Sequence, residues 1–198
     1  MNPADTTVEG TAGAGESLAI AFLGSVVSNE MMLRLPAVNP AGDKFQAAMV
    51  RLLRERFAVS PGKRSLEAAA ADSRIVYWRQ VPNAEVVCRQ RQATVLRNAR
   101  PSSDSVTRYT FPSKLREYML SGRPAITTLL PGIPAAYYQH LYVLHEDTSE
   151  ALARLVVTVC EQPRIELREI GRRAREFTLK HSNAETQGQR IYDFICTL

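Results

Sequence analysis

Lys114 and Glu117 stand three residues apart in TFPSKLREYMLSGRPAI, residues 110–126. On a helix this spacing puts an ammonium and a carboxylate one turn apart on the same face. Thr110 and Pro112 come just before them. Thr110 reads as the N-cap, and Pro112 as a first-turn residue whose missing N–H costs nothing there. The amides of Phe111, Ser113 and Lys114 then point out of the helix start. Together with the positive end of the helix dipole they suit phosphate oxygens. Lys114 adds a point charge, and Glu117 lies within reach of neutral hydroxyls such as a ribose diol. A nucleoside diphosphate bearing a sugar asks for this division between cationic donors and a carboxylate acceptor. The plain alternative is an ordinary helix start with a surface Lys–Glu pair.

The elements around this stretch set where it sits. SLAIAFLGSVV (17–27) is an apolar run that reads as a buried strand, followed by a long loop. Phe45, Met49, Leu52 and Leu53 then mark an amphipathic helix. Residues 58–73 read as a connector. RIVYW (74–78), TVLRNAR (94–100), PAITT (124–128) and LYVLH (141–145) read as short strands. A helical turn or two lies between the first and second of these, and the helix bearing Leu115, Tyr118 and Met119 on one face lies between the second and third. Asp147, three residues before Glu150, predicts a capping-box helix start. Three closing helices carry the stripes Leu152/Leu155/Val156/Val159, Leu167/Ile170/Ala174/Phe177 and Ile191/Phe194/Ile195. Strands alternating with amphipathic helices predict a parallel sheet covered on both faces, with ligands at the carboxyl ends of its strands.

Composition narrows the function classes. The 198 residues carry a net charge of +5, with 45% hydrophobic and 23% charged content, as ordinary globular chains do. From Arg89 to Arg123 eight basic residues face two acidic ones, so the surplus there exceeds that of the whole chain. This suggests an anionic partner, or simply a solvated basic face. Residues 1–16 are small, polar and Gly-rich and read as a disordered tail, not a secretory signal. No apolar run reaches the ~20 residues of a membrane span. Cys88, Cys160 and Cys196 form no CxxC pair and no metal cluster with the histidines, so reduced thiols are expected. No GxSxG and no GxxxxGK[ST] is present. Nucleic-acid binding lacks a motif of interleaved basic and aromatic residues.

FPSKLREYMLSGRPAITTLLPGIPAAYY resembles the nucleotide-sugar-binding domain of GT-B glycosyltransferases, in the retaining "glycosyltransferase group 1" family. RQATVLRNARPSSDSVTRYT upstream and LREIGRRAREFTLKHSN downstream fit the same family. IAFLGSVVSNEMMLRLPAVNPAGDKFQAAMVRLLRER is similar to the opening strand, loop and helix of its N-terminal domain. The resemblance implies a Rossmann-like parallel sheet with flanking helices, a truncated GT-B fold. Its parts would be an N-terminal βα unit (17–57), the connector and a C-terminal nucleotide-sugar-binding half-domain (74–198). It implies that Glu117 binds the donor ribose and that Tyr109, Thr110, Phe111, Pro112, Ser113 and Lys114 meet the donor diphosphate. Gly42 would face the donor across a cleft. Tyr109 occupies the position of the family motif's first acid. Catalysis would rest on Lys114, Ser113 and helix-end amides stabilising the departing diphosphate, without metal or cofactor. The implied partners are a nucleotide-sugar donor and a glycan or small-molecule acceptor, with no nucleic acid. The implied place is the cytoplasm, with peripheral contact to a membrane left open. Most of the family's N-terminal domain is missing, so a non-catalytic remnant or nucleotide-sugar-binding module is the alternative.

Overall fold

The computed structural model describes residues 18–23, 30–35, 75–78, 81–98, 100 and 105–197. Gly42, the helix expected over 44–57 and the connector lie outside the described residues. The strands are β1 (Leu18–Leu23), β2 (Glu30–Leu35), β3 (Ile75–Trp78), β4 (Val95–Asn98), β5 (Ala125–Thr128) and β6 (Tyr142–Leu144). The helices are α1 (Asn83–Gln92), α2 (Ser113–Ser121), α3 (Ala135–Tyr138), α4 (Ser149–Glu161), α5 (Arg164–His181) and α6 (Ala184–Cys196). A 3₁₀ turn covers Ser105–Arg108.

The protein is mixed α/β. Strands β4, β5 and β6 form an open parallel sheet, with Leu96 opposite Ala125 and Ile126 opposite Tyr142. β1 joins the free edge of β4, also parallel. The sheet then continues through β2 and β3, each antiparallel to its neighbour, in the order β3-β2-β1-β4-β5-β6. This corrects the expectation of a wholly parallel sheet. It also corrects the long loop expected after β1, because Glu30–Leu35 is a strand paired with β1 and β3. Those ladder bonds satisfy a backbone whose Met and Leu side chains carry no strong strand preference of their own.

Local chemistry fixes the bounds of α2. Pro112 holds φ at −66° before the first turn. Gly122 closes the helix in the left-handed region at φ 74°, where a Cβ is costly, and Pro124 follows. Between them Leu115, Tyr118 and Met119, at i, i+3 and i+4, are fully buried. They pack with Leu96 of β4, Ala125 of β5, Leu141 and Ala174 of α5. Each such side chain contributes roughly 1.5–3 kcal/mol of burial. α5 crosses α2 so closely that a Cβ on Gly171 would stand 2.1 Å from the Gly122 carbonyl oxygen.

Side chains cap α4 and α6, whereas α5 starts at Pro163 with no side-chain cap. Thr148, one residue later than the expected Asp147, accepts the Ala151 amide at 3.1 Å, and Asn183 accepts that of Thr186 at 2.6 Å. The α6 stripe expected to be buried is not. Ile191, Phe194 and Ile195 are 60–64% exposed, and α6 has no buried residue.

Candidate functional site

α2 follows β4 through the 3₁₀ turn, so its first residues stand at the carboxyl end of the sheet, where α/β proteins place ligands. The helix starts later than the expected Thr110. Pro112 is the N-cap residue, and no side chain caps the start. Its carbonyl accepts the Leu115 amide at 2.9 Å. The amides of Ser113 and Lys114 are therefore the helix-end donors without an intrahelical acceptor. Proline also explains the shift, since it drives the residue before it toward extended backbone and bars Phe111 from the helix.

The structure brings Lys114 and Glu117 together. Lys114 Nζ donates to Glu117 Oε2 at 2.8 Å, with both side chains partly exposed. Ser113 and Thr110 are exposed, Pro112 is buried and Phe111 is half-buried. Tyr109 is 82% exposed beside them. Of the seven expected site residues in the chain segment 109–117, the structure thus pairs Lys114 with Glu117 and leaves Tyr109, Thr110 and Ser113 exposed, while Phe111 is half-buried and Pro112 buried. Gly42 lies outside the described residues.

A second loop, which sequence reasoning did not assign to the site, braces the first. After β5 the chain turns through Leu130–Pro134, where the Ile133 amide bonds the Leu130 carbonyl at 3.1 Å. A Cβ on Gly132 would lie 2.5 Å from the Thr110 carbonyl oxygen and 2.9 Å from that of Thr107. The two loops are thus in backbone contact directly before α2. Tyr138 pins the second loop: its hydroxyl donates to the Leu130 carbonyl at 2.8 Å and accepts the Leu130 amide at 2.9 Å. Burial pushes the Tyr138 phenol up, partly offset by its bond to Leu130. The glycine of LPGIP was the available signal, because a glycine between two prolines marks a close approach as readily as a turn.

An aromatic chain carries the site's position into the core. Phe111 meets Tyr137 at 4.9 Å between centroids, and Tyr137 meets Phe177 of α5 edge-on at 5.0 Å. The Tyr137 hydroxyl shares a 2.6 Å hydrogen bond with Ser182. His140 and His181 both stack on Phe177, at 4.5 and 4.8 Å. Thus Tyr137 and Tyr138 are packing residues. Sheet polar groups gather at the same edge, where Thr127 Oγ1 donates to the Asn98 carbonyl at 3.4 Å and both residues are buried.

Two members of the basic surplus of residues 89–123 lie away from this helix start. Arg97 lies in β4, and burial pulls its guanidinium down to about 10. Arg123 is past the far end of α2, where its Nε donates to the Arg91 carbonyl at 2.5 Å. Among the described residues no group of three or more His, Cys, Asp or Glu side chains is placed to hold a metal ion. No described helix is long and apolar enough to cross a membrane. Comparison with known proteins adds no relative: no family model, no curated protein and no solved structure matches the chain.

Proposed function

We propose that the start of α2 binds the diphosphate of a nucleotide sugar and that the protein is a glycosyltransferase-like chain of shortened GT-B type. The observation that carries this reading is an uncapped helix start with Lys114 and Glu117 paired on its exposed face. Ser113 and Lys114 amides and the Lys114 ammonium take the phosphate oxygens, and Glu117 turns to the ribose diol once Lys114 is drawn to the diphosphate. In a transfer reaction the same donors stabilise the departing diphosphate as its charge develops. The acceptor is a glycan or a small molecule, and the setting is cytoplasmic.

A specific observation favours the alternative, a binding module without turnover. Tyr109 and Thr110 are open to solvent at this helix start, and transfer needs a site that excludes water.

Calorimetric titration with a panel of nucleoside diphosphates tests the binding step. Weak binding is expected, and Lys114→Ala weakens it by ~1–2 kcal/mol, the range of a charge-assisted hydrogen bond. Binding that survives this substitution unchanged places the ligand elsewhere. Incubation with nucleotide sugars separates the two readings, because turnover above the uncatalysed background selects the transferase.

A further inference from the structure

Asn98, the last residue of β4, is 7% exposed, and its side-chain Nδ2 has no hydrogen-bond partner. Folded chains satisfy nearly all buried side-chain donors, so an orphan of this kind needs a reason. The Asn98 backbone is engaged, since its carbonyl accepts the Thr127 hydroxyl at 3.4 Å. The carboxamide nitrogen is not.

Strand register gives its direction. Asn98 stands opposite Thr127, as Leu96 stands opposite Ala125. Alternate residues of a strand share a face, and Leu96 and Ala125 pack with Leu115 and Met119 of α2. Asn98 is therefore on the α2 face. α2 leads from the carboxyl end of β4 to the amino end of β5, so it runs opposite to both strands. Its first turn stands over their carboxyl ends, and the step from Leu96 to Asn98 goes about 7 Å in that direction. The carboxamide thus lies under the helix start whose Ser113 and Lys114 amides lack an intrahelical acceptor. Other orphans do not gather there. Thr128 Oγ1 is buried without a partner, but alternation sends it to the opposite face of the sheet. Gln90 Nε2 belongs to α1, and His140 Nδ1 to the stack on Phe177.

We propose that Asn98 is a further donor to the diphosphate bound at the α2 start. This rests on the reading of that start as a diphosphate site. In the present rotamer Nδ2 is closed to solvent. Rotation about χ1 and χ2 carries it toward the helix start, and side chains at binding sites commonly change rotamer in this way. The rotation costs no hydrogen bond of Nδ2, because it makes none. On arrival Nδ2 donates to a phosphate oxygen, and a bond to a charged acceptor is stronger than one between neutral groups. Ser113 and Lys114 hold the anion from the helix side, and Asn98 holds it from the sheet side. A neutral amide suits this place, since it supplies a donor without burying a charge beneath the helix.

Inorganic pyrophosphate is the probe, added to the full chain and followed by calorimetry and by nitrogen–proton NMR. The Asn98 side-chain NH2 resonances shift along the pyrophosphate saturation curve. Asn98→Leu weakens binding roughly ten-fold or more, the range of one hydrogen bond to a charged group. Its thermal midpoint stays at or above that of the wild type, because an apolar side chain of similar size has replaced a lone buried amide. A structural asparagine gives the opposite pair, a lower midpoint with unchanged binding, and that result overturns the proposal. Binding that Lys114→Ala weakens and Asn98→Leu does not also overturns it, and leaves the reading of the helix start intact. Side-chain resonances that stay still at saturation overturn it in the wild type, whether or not the variant folds. Failure of pyrophosphate to bind the wild type at all removes the reading of the helix start, and this inference with it.

Discussion

Glu117 holds Lys114 in the absence of ligand, so the two residues do not act independently. Exposed pairs of this kind contribute at most about 1 kcal/mol to stability, and Glu117→Gln leaves the fold intact. Its effect on binding separates the two parts of a nucleotide. Inorganic pyrophosphate binds the variant more tightly than wild type, since a competing carboxylate is gone and Lys114 is released. A nucleoside diphosphate loses its diol acceptor and falls relative to pyrophosphate by ~1–2 kcal/mol. Calorimetry with both ligands checks this, and a parallel change in the two removes Glu117 from ribose recognition. His140 carries a second residue-scale prediction. Burial, then the charges of Arg173 and His181, lower its tendency to protonate. Its folded value therefore lies below the unfolded value of about 6.5, and the unfolded chain takes up the proton first as the pH falls. Stability is complete above that unfolded value and declines as the pH drops toward the folded one. The thermal midpoint of the wild type should fall between pH 7.5 and 5.5, and more steeply than that of His140→Phe, which keeps the stack on Phe177 without a titrating ring.

Two glycine contacts set the placement of whole elements. Gly171→Ala drives a Cβ against the backbone of Gly122, where no side chain can yield. Separating α5 from α2 costs about 3 kcal/mol or more, read as a lower urea midpoint at unchanged slope. Gly132→Ala drives a Cβ against the Thr110 and Thr107 carbonyls, which are backbone as well. It lowers the thermal midpoint too, and on the proposed function it also weakens nucleoside-diphosphate binding, because the loop leading into α2 moves. The sequence made the interior of α2 readable: the Leu115, Tyr118 and Met119 spacing and the Gly-x-Pro stop both express local geometry. The helix start was less readable, because Thr110 has cap chemistry but the proline two residues on keeps the preceding backbone extended. β2 was not readable. EMMLRL lacks both alternation and β-branched side chains, and it becomes a strand through ladders to β1 and β3 that no local pattern encodes. The Gly132 contact was hidden for a similar reason, since it joins residues distant along the chain.

At the scale of the molecule, α2, α5 and the carboxyl edge of the sheet form one packed body through Leu96, Met119, Leu141 and Ala174. The candidate site residues lie at one end of α2 and the Gly122–Gly171 contact at the other. The thiols report on this body. Cys160 is buried, and burial pushes its thiol up to about 12, whereas Cys88 and Cys196 are exposed. Ellman's reagent should therefore modify two thiols quickly and the third only at the rate of opening around α4. Fast reaction of all three would show that α4 does not cover the sheet as described. The stripe on α6 shows how far pattern reading reaches: spacing identified Ile191, Phe194 and Ile195 as one face, but spacing carries no information on what lies opposite it.

The backbone contact between Gly122 and Gly171 also orders events during synthesis. α2 leaves the ribosome roughly fifty residues before the part of α5 that it touches. At about 5–20 residues per second, the buried side of the helix waits between about 2 and 10 s for its cover. Throughout that interval Leu115 and Met119 are available to any chaperone that binds apolar side chains. A ribosome stalled before codon 171 would hold the nascent chain in this unfinished form, with the loops on either side of Gly132 already made and α2 still unsupported.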